Sequence, residues 1–136
     1  MKYLLDTNAW VDYLTGRFPT VVARIQKSAP DDLCLSSVVM AELRYGAEKS
    51  RRKKFNHDLL DTLAREVRCV DFDLDGARTY GELRTRLEKR GTPIGPYDMM
   101  IAAHALSLGL TVVTDNEHEF RRVRSLPVEN WRDRRD

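Results

Sequence analysis

Apolar residues along the chain alternate between two patterns, short uninterrupted runs and longer stretches where they recur every third or fourth position. The runs Tyr3-Leu4-Leu5, Leu33-Cys34-Leu35, Val67 to Phe72, Leu110 to Val113 and a last one near Val128 predict five short strands. Between them the spacing is helical. A helix beginning near Ala9 carries Trp10, Val11, Tyr13 and Leu14, and a second from Pro19 to Ser28 carries Val21, Val22 and Ile25 before Ala29-Pro30-Asp31-Asp32 breaks it. Ser36-Ser37 offers an N-cap for a helix holding Val39, Leu43 and Ala47, and the next runs through Phe55, Leu59, Leu60 and Leu63. Asp73 to Asp75 opens a helix marked by Ala77, Tyr80, Leu83 and Leu87, which Gly91 ends. A helix from Pro96 to Leu108 and a short one from Glu117 to Val123 complete the series, with Trp131 and an Arg/Asp tail behind.

Helices alternating with short apolar strands predict a layered α/β fold with a mostly parallel sheet. The 136 residues fit one domain, 1–136, with no internal repeat, linker or low-complexity block. Right-handed crossovers bring strand C-termini and helix N-termini to one edge of such a sheet, where open α/β folds bind ligands.

Four acids are predicted at that edge. Asp6 closes the first strand and Asp115 follows the penultimate one, while Asp98 sits in the first turn of the Ala-rich helix and Glu42 about two turns into another. Pro96 at the first helical position places Asp98 beside the positive end of the helix dipole. Each acid has an ordinary alternative. Asp6 and Asp115 suit loop caps, Asp98 complements its dipole, and Glu42 has Lys49 and Arg51 as surface partners. Together they form a set of like charges that a low-dielectric cleft tolerates only with bound cations or retained protons.

Oxygen donors alone favour hard ions, Mg²⁺ or Mn²⁺, with Asp6 and Asp98 as direct ligands and Glu42 and Asp115 completing the shell. Thr7, Asn8 and Thr114 stand ready to orient carboxylates or phosphate in support. His57, His104 and His118 lack a zinc-like spacing, and His104 reads as a packed histidine on its apolar helix. Cys34 and Cys69 read as two buried, reduced thiols. The opening Met1-Lys2-Tyr3-Leu4-Leu5 meets Asp6 at once, which argues against a signal peptide or membrane span and for a cytoplasmic protein.

Net charge is only +2, but the bases are clumped. Lys49, Arg51, Arg52, Lys53 and Lys54 form one group; Arg84, Arg86, Lys89 and Arg90 a second; Arg121, Arg122 and Arg124 a third. Such runs serve either as solvated helix faces or as a phosphate-binding surface, and the first group is the leading candidate for the latter.

The segments Leu4-Leu5-Asp6-Thr7-Asn8, Ser37 to Ala47 around Glu42, Gly91 to Ala105 around Asp98, and Val112-Val113-Thr114-Asp115-Asn116 resemble, in order and spacing, those of PIN-domain ribonucleases. More narrowly they resemble the VapC toxins of bacterial toxin–antitoxin modules. The resemblance implies a three-layer α/β/α PIN-like fold with a central, mostly parallel, five-stranded sheet. It also implies a Mg²⁺-dependent endoribonuclease with Asp6, Glu42 and Asp98 in the site, RNA as substrate with tRNA, initiator tRNA included, in the lead, and a toxin homodimer bound by a VapB-type antitoxin. Many members carry the fourth acid two residues after the Thr, where this chain has Asn116; Asp115 then takes that place, with Glu119 in reserve. That departure also supports an alternative, a non-catalytic RNA- or antitoxin-binding module with a degenerate acid cluster.

Overall fold

In a computed structural model, residues 1–132 are described; the Arg/Asp tail beyond Arg132 lies outside them. Five strands form one sheet: β1 (Tyr3–Leu5), β2 (Leu33–Ser36), β3 (Arg68–Val70), β4 (Thr111–Val113) and β5 (Val128–Glu129). Their order is β3-β2-β1-β4-β5, and every pairing is parallel. The helices are α1 (Thr7–Thr15), α2 (Pro19–Lys27), α3 (Ser37–Lys49), α4 (Lys53–Glu66), α5 (Leu74–Lys89), α6 (Pro96–Leu108) and α7 (Glu117–Phe120), with a 3₁₀ turn over Pro30–Asp32.

Succession β1, β2, β3 runs toward one edge of the sheet, whereas β4 and β5 return past β1 to the other. Right-handed crossovers therefore put α1 to α4 on one face and α5 to α7 on the other, which makes the three layers. The direction of winding reverses between β1 and β4, so the loops leaving those two strands diverge and open a crevice. The core fills the space between the layers: Leu4, Leu5, Leu33, Leu35, Val112 and Val113 from the strands meet Trp10, Val39, Leu87, Ile101 and Phe120 from the helices, all at most 2% exposed.

Helix α6 is apolar on nearly every side, with Met99 and Ile101 to Ala105 buried, as a helix inside the molecule must be. Gly109 ends it at φ 69°, a left-handed cap that glycine adopts without strain. His104 is packed as expected, its Nδ1 2.8 Å from Ser36 Oγ and its ring edge-on to Phe72.

Strand β3 and helix α7 are shorter than the expected Val67 to Phe72 and Glu117 to Val123, and burial departs from expectation in three places. Cys34 is buried, but Cys69 is exposed because β3 is an edge strand with a neighbour on one side only. Ala77 is exposed on α5, whose buried side is made by Gly76, Leu83 and Leu87. Val11 and Phe55, assigned to apolar helix faces, also remain exposed. These last two line an apolar groove of about 530 Å³ between α1, α3 and α4, whose polar wall includes Thr7 and Glu42.

Candidate active site

Asp6 leaves β1 at the crevice and serves as the N-cap of α1. Its Oδ1 accepts the Ala9 N–H at 2.9 Å, while its own N–H donates to Val113 O of β4 at 2.9 Å. The residue is only 5% exposed. Burial pushes its carboxyl from the ordinary 3.8 up to about 7; hydrogen bonds from Thr114 and Ala9 oppose the rise, and the charges of Asp115 and Asp98 add to it. A cap alone would lower the value, so the cleft outweighs the cap.

Asp98 is the third residue of α6, after Pro96 at N1 and with Gly95 as N-cap. It is half-buried, and its carboxyl rises from 3.8 to about 6, first through burial and then through Glu119, Glu42 and Asp115. Asn116 partly relieves it, donating from Nδ2 to Asp98 Oδ2 at 3.4 Å. Glu42 reaches the same place from α3, accepting the Thr7 hydroxyl proton at 2.6 Å rather than pairing with a surface base. Asp6 feels the charges of Asp115 and Asp98, and Asp98 those of Glu119, Glu42 and Asp115, so Asp6 and Asp98 share one side of the molecule rather than lying on opposite sides.

Thr7, Asn8, Thr114 and Asn116 each contact at least one of these acids. Thr7 holds Glu42, Thr114 bonds Asp6 and accepts the Asn116 N–H at 2.9 Å, and Asn8 donates to Asp115 Oδ1 at 3.4 Å. Asn116, the point of departure from the family pattern, acts as a bridge: the same amide nitrogen that faces Asp98 donates to Glu119 Oε2 at 2.9 Å. Glu119 Oε1 in turn accepts the Gly95 N–H at 2.6 Å, and these two bonds hold its carboxyl below the usual range. Glu119 therefore lies against the first turn of α6 and is the strongest single charge acting on Asp98.

Two residues that sequence reasoning did not single out also reach the site. Asp12, on α1, is 3% exposed, and Arg132, just past β5, lays its guanidinium along that carboxylate through Nε at 2.7 Å and Nη2 at 3.0 Å. Its third bond, from Nη1, goes to Asp115 Oδ2 at 3.0 Å. An acid between the buried Ala9, Trp10 and the half-buried Tyr13 was the one available hint at Asp12.

The first basic group is exposed at the turn from α3 to α4. Lys53 pairs with Glu48 at 3.0 Å and Lys54 with Asp58 at 2.8 Å, whereas Lys49 lies 4.7 Å above the Tyr45 ring and Arg52 3.8 Å above Phe55. The later groups are partly structural. Arg90 donates to Arg122 O at 2.6 Å and Arg122 to Pro93 O at 2.7 Å, which ties the loop before α6 to α7.

Residues 3–126 match the PIN domain family. The chain belongs to the PIN-domain family. This PIN domain is 37% identical over 131 residues to the tRNA(fMet)-specific endonuclease VapC of Salmonella typhimurium, covering 96% of this chain and 98% of that protein. It is 39% identical over 132 residues to ribonuclease VapC2 of Rickettsia felis, with the same coverage. The crystal structure of DNA-bound VapBC from Salmonella typhimurium superposes with a TM-score of 0.90 at 37% identity, covering 96% of this chain and 98% of that one.

Among the described residues no three His, Cys, Asp or Glu side chains form a ready-made ion cage. The PIN-domain acids are instead gathered at electrostatic range, which suits an ion that keeps several waters and takes one or two carboxylates directly. An all-oxygen donor set and two carboxyls raised chiefly by burial, with neighbouring acids adding to the rise, fit a hard divalent cation. Among the described residues no helix is long and apolar enough to cross a membrane.

Proposed function

We propose that this chain is the toxin ribonuclease of a VapBC-type module. It is a cytoplasmic endoribonuclease dependent on Mg²⁺, with Mn²⁺ able to substitute, and it hydrolyses tRNA, initiator tRNA foremost, so that translation stops. The observation that carries the reading is the meeting of Asp6, Glu42 and Asp98 in a crevice where burial lifts two carboxyls well above their ordinary values. Asp6 and Asp98 would hold the ion, with Glu42 and Glu119 as the further acids beside Asp98. When bound, the ion supplies Lewis acidity against charge building on the scissile phosphate and acidifies the attacking water.

The chain's own residues do the rest. Thr7 fixes the Glu42 carboxylate, and Asn116 spaces Asp98 from Glu119, so each acid keeps its orientation as RNA arrives. Lys49, Arg51, Arg52, Lys53 and Lys54, at the far end of α3 from its N-terminus, attract the RNA backbone. The apolar groove that Glu42 helps to line fits one face of an amphipathic helix, the shape by which a VapB-type antitoxin would cover the site on each half of a toxin homodimer.

Cleavage of tRNA by Asp6→Asn and Asp98→Asn proteins in Mg²⁺ tests the reading, with both expected to fall to background. Full activity in either variant refutes it. The bridging of Asp98 and Glu119 by Asn116 argues against a degenerate cluster, because the amide occupies the site as a partner of the acids rather than as a gap among them.

A further inference from the structure

Arg132 makes three hydrogen bonds to acids that come from opposite parts of the chain. Asp12 is nearly sealed, with a side chain 4% exposed, and a buried carboxylate needs a well-aligned cation to be tolerated. The side-on fork from Nε and Nη2 meets that need. With the guanidinium fixed on Asp12, its Nη1 has one position, and Asp115 Oδ2 is bonded there. The other oxygen of Asp115 faces Asn8.

The guanidinium is itself braced. It lies 4.1 Å above the Phe18 ring, and the preceding Trp131 is wedged edge-on against Tyr3 of β1, with Arg24 on its face at 4.4 Å. Trp131 Nε1 also donates to Glu129 of β5. The end of the described chain is thus strapped across β1, α1 and α2, and it delivers one fixed positive charge to the rim of the acid crevice.

We propose that Arg132 is a positioning residue that commits Asp115 to an Asp12–Arg132–Asp115 clamp anchored on the buried Asp12 and so withholds it from the metal. The inference rests on the metal-site reading above. It divides the acids at the sheet edge into two classes: Asp6 and Asp98 face the ion, while Asp115 holds the strap against α1. It also removes one carboxylate from the set the sequence suggested. Breaking the clamp returns Asp115 to the crevice as an extra ligand.

Mn²⁺ binding, followed by the electron paramagnetic resonance signal of the free ion, provides a readout independent of turnover. A background carrying Arg132→Gln and Asp12→Asn together replaces the charged fork by a neutral amide pair, so that no buried carboxylate is stranded. Asp115→Asn is then introduced into both the wild-type protein and this background, forming a double-mutant cycle. The expected result is a change of less than about twofold in Mn²⁺ affinity in the wild-type protein and a loss of about tenfold in the background. Arg132→Lys keeps the charge but loses the fork, and it should give an intermediate response.

Equal effects of Asp115→Asn in the two settings overturn the proposal. Should the background fail to fold, the wild-type arm still decides: a loss of about tenfold there identifies Asp115 as a ligand and ends the clamp's assigned role. No Mn²⁺ binding by the wild-type protein, or undiminished binding by Asp6→Asn and Asp98→Asn, would refute the metal-site reading beneath it, a result distinct from either cycle outcome.

Discussion

Replacing Asp6 by asparagine should make the metal-free protein more stable above neutrality, although it removes a buried and hydrogen-bonded group. The carboxyl is raised from 3.8 to about 7 in the fold. A raised acid favours folding fully below its unfolded value and loses that contribution as pH climbs through the folded one. Between about pH 4 and about pH 7 the native state holds a proton that the unfolded chain has released, so stability falls by about 1.4 kcal/mol per pH unit. Over the whole window the loss is about 4 kcal/mol. Asp98, raised to about 6, adds to the decline in the lower part of the window. An amide at this position carries no such penalty and keeps an equally good N-cap oxygen for the Ala9 N–H. Burial holds His104 below its usual value, which acts in the opposite sense at acidic pH but is common to both proteins and cancels in their difference. Urea unfolding in a chelator, from about pH 5 to about pH 8, measures that difference directly. Asp6→Asn should gain on the wild-type protein as pH rises, by about 2 to 4 kcal/mol at the upper end once weakened polar bonding to Thr114 is counted. Mg²⁺ at about pH 8 should then stabilise the wild-type protein and leave the variant nearly unchanged. A difference that stays flat across this range, or that shrinks with rising pH, refutes the argument that cleft burial dominates Asp6.

Other expectations follow from the same side chains. Arg132→Ala strands the buried Asp12 carboxylate and should cost about 3 to 5 kcal/mol of stability in urea unfolding, whereas pairing it with Asp12→Asn should restore most of the loss. In RNA binding, Arg51→Ala with Arg52→Ala should weaken affinity at low salt and flatten its salt dependence by about 0.7 to 0.9 for every phosphate no longer neutralised; an unchanged slope would remove this surface from the RNA path. Lys54→Ala, whose ammonium is already paired with Asp58, serves as the comparison and should change the slope less.

Some elements were readable in the sequence because local chemistry and tertiary demand agree there. Helix α6 was bounded to the residue by Pro96 at its start and Gly109 after its end, and its all-apolar composition announced a buried helix before any packing was visible. Three of the four acids were found by asking which residues follow strands or open helices, a question that depends only on chain direction. Strand order was a different matter. Nothing in the apolar runs says that β4 inserts beside β1, and that placement is what puts Asp115 next to Asp6 and leaves Cys69 on an edge. Helical periodicity likewise could not tell a core face from a groove wall, since Val11 and Phe55 satisfy either. The Asp12 and Arg132 pair joins residues at opposite ends of the chain, and neither position carries a pattern of its own.

The partners of each acid explain why a divalent ion, rather than a proton or a monovalent cation, suits this crevice. Asp115 is offset by Arg132, Glu119 is held ionised by the Gly95 N–H and the Asn116 amide, and Glu42 rests against the Thr7 hydroxyl. Asp6 and Asp98 are left as the pair whose carboxyls burial drives upward, so ionising both places two incompletely compensated negative charges in a poorly solvated space. Protons relieve that only near or below about pH 6 to 7, which leaves the pair charged in a slightly alkaline solution. A doubly charged ion matches the deficit, and the free energy the fold gives up to bury two carboxylates returns as affinity for it. On this reasoning the acids that burial raises most are the ones that hold the metal, and neutralising either should lower Mn²⁺ affinity more than neutralising Glu119, whose charge is already carried by its own hydrogen bonds.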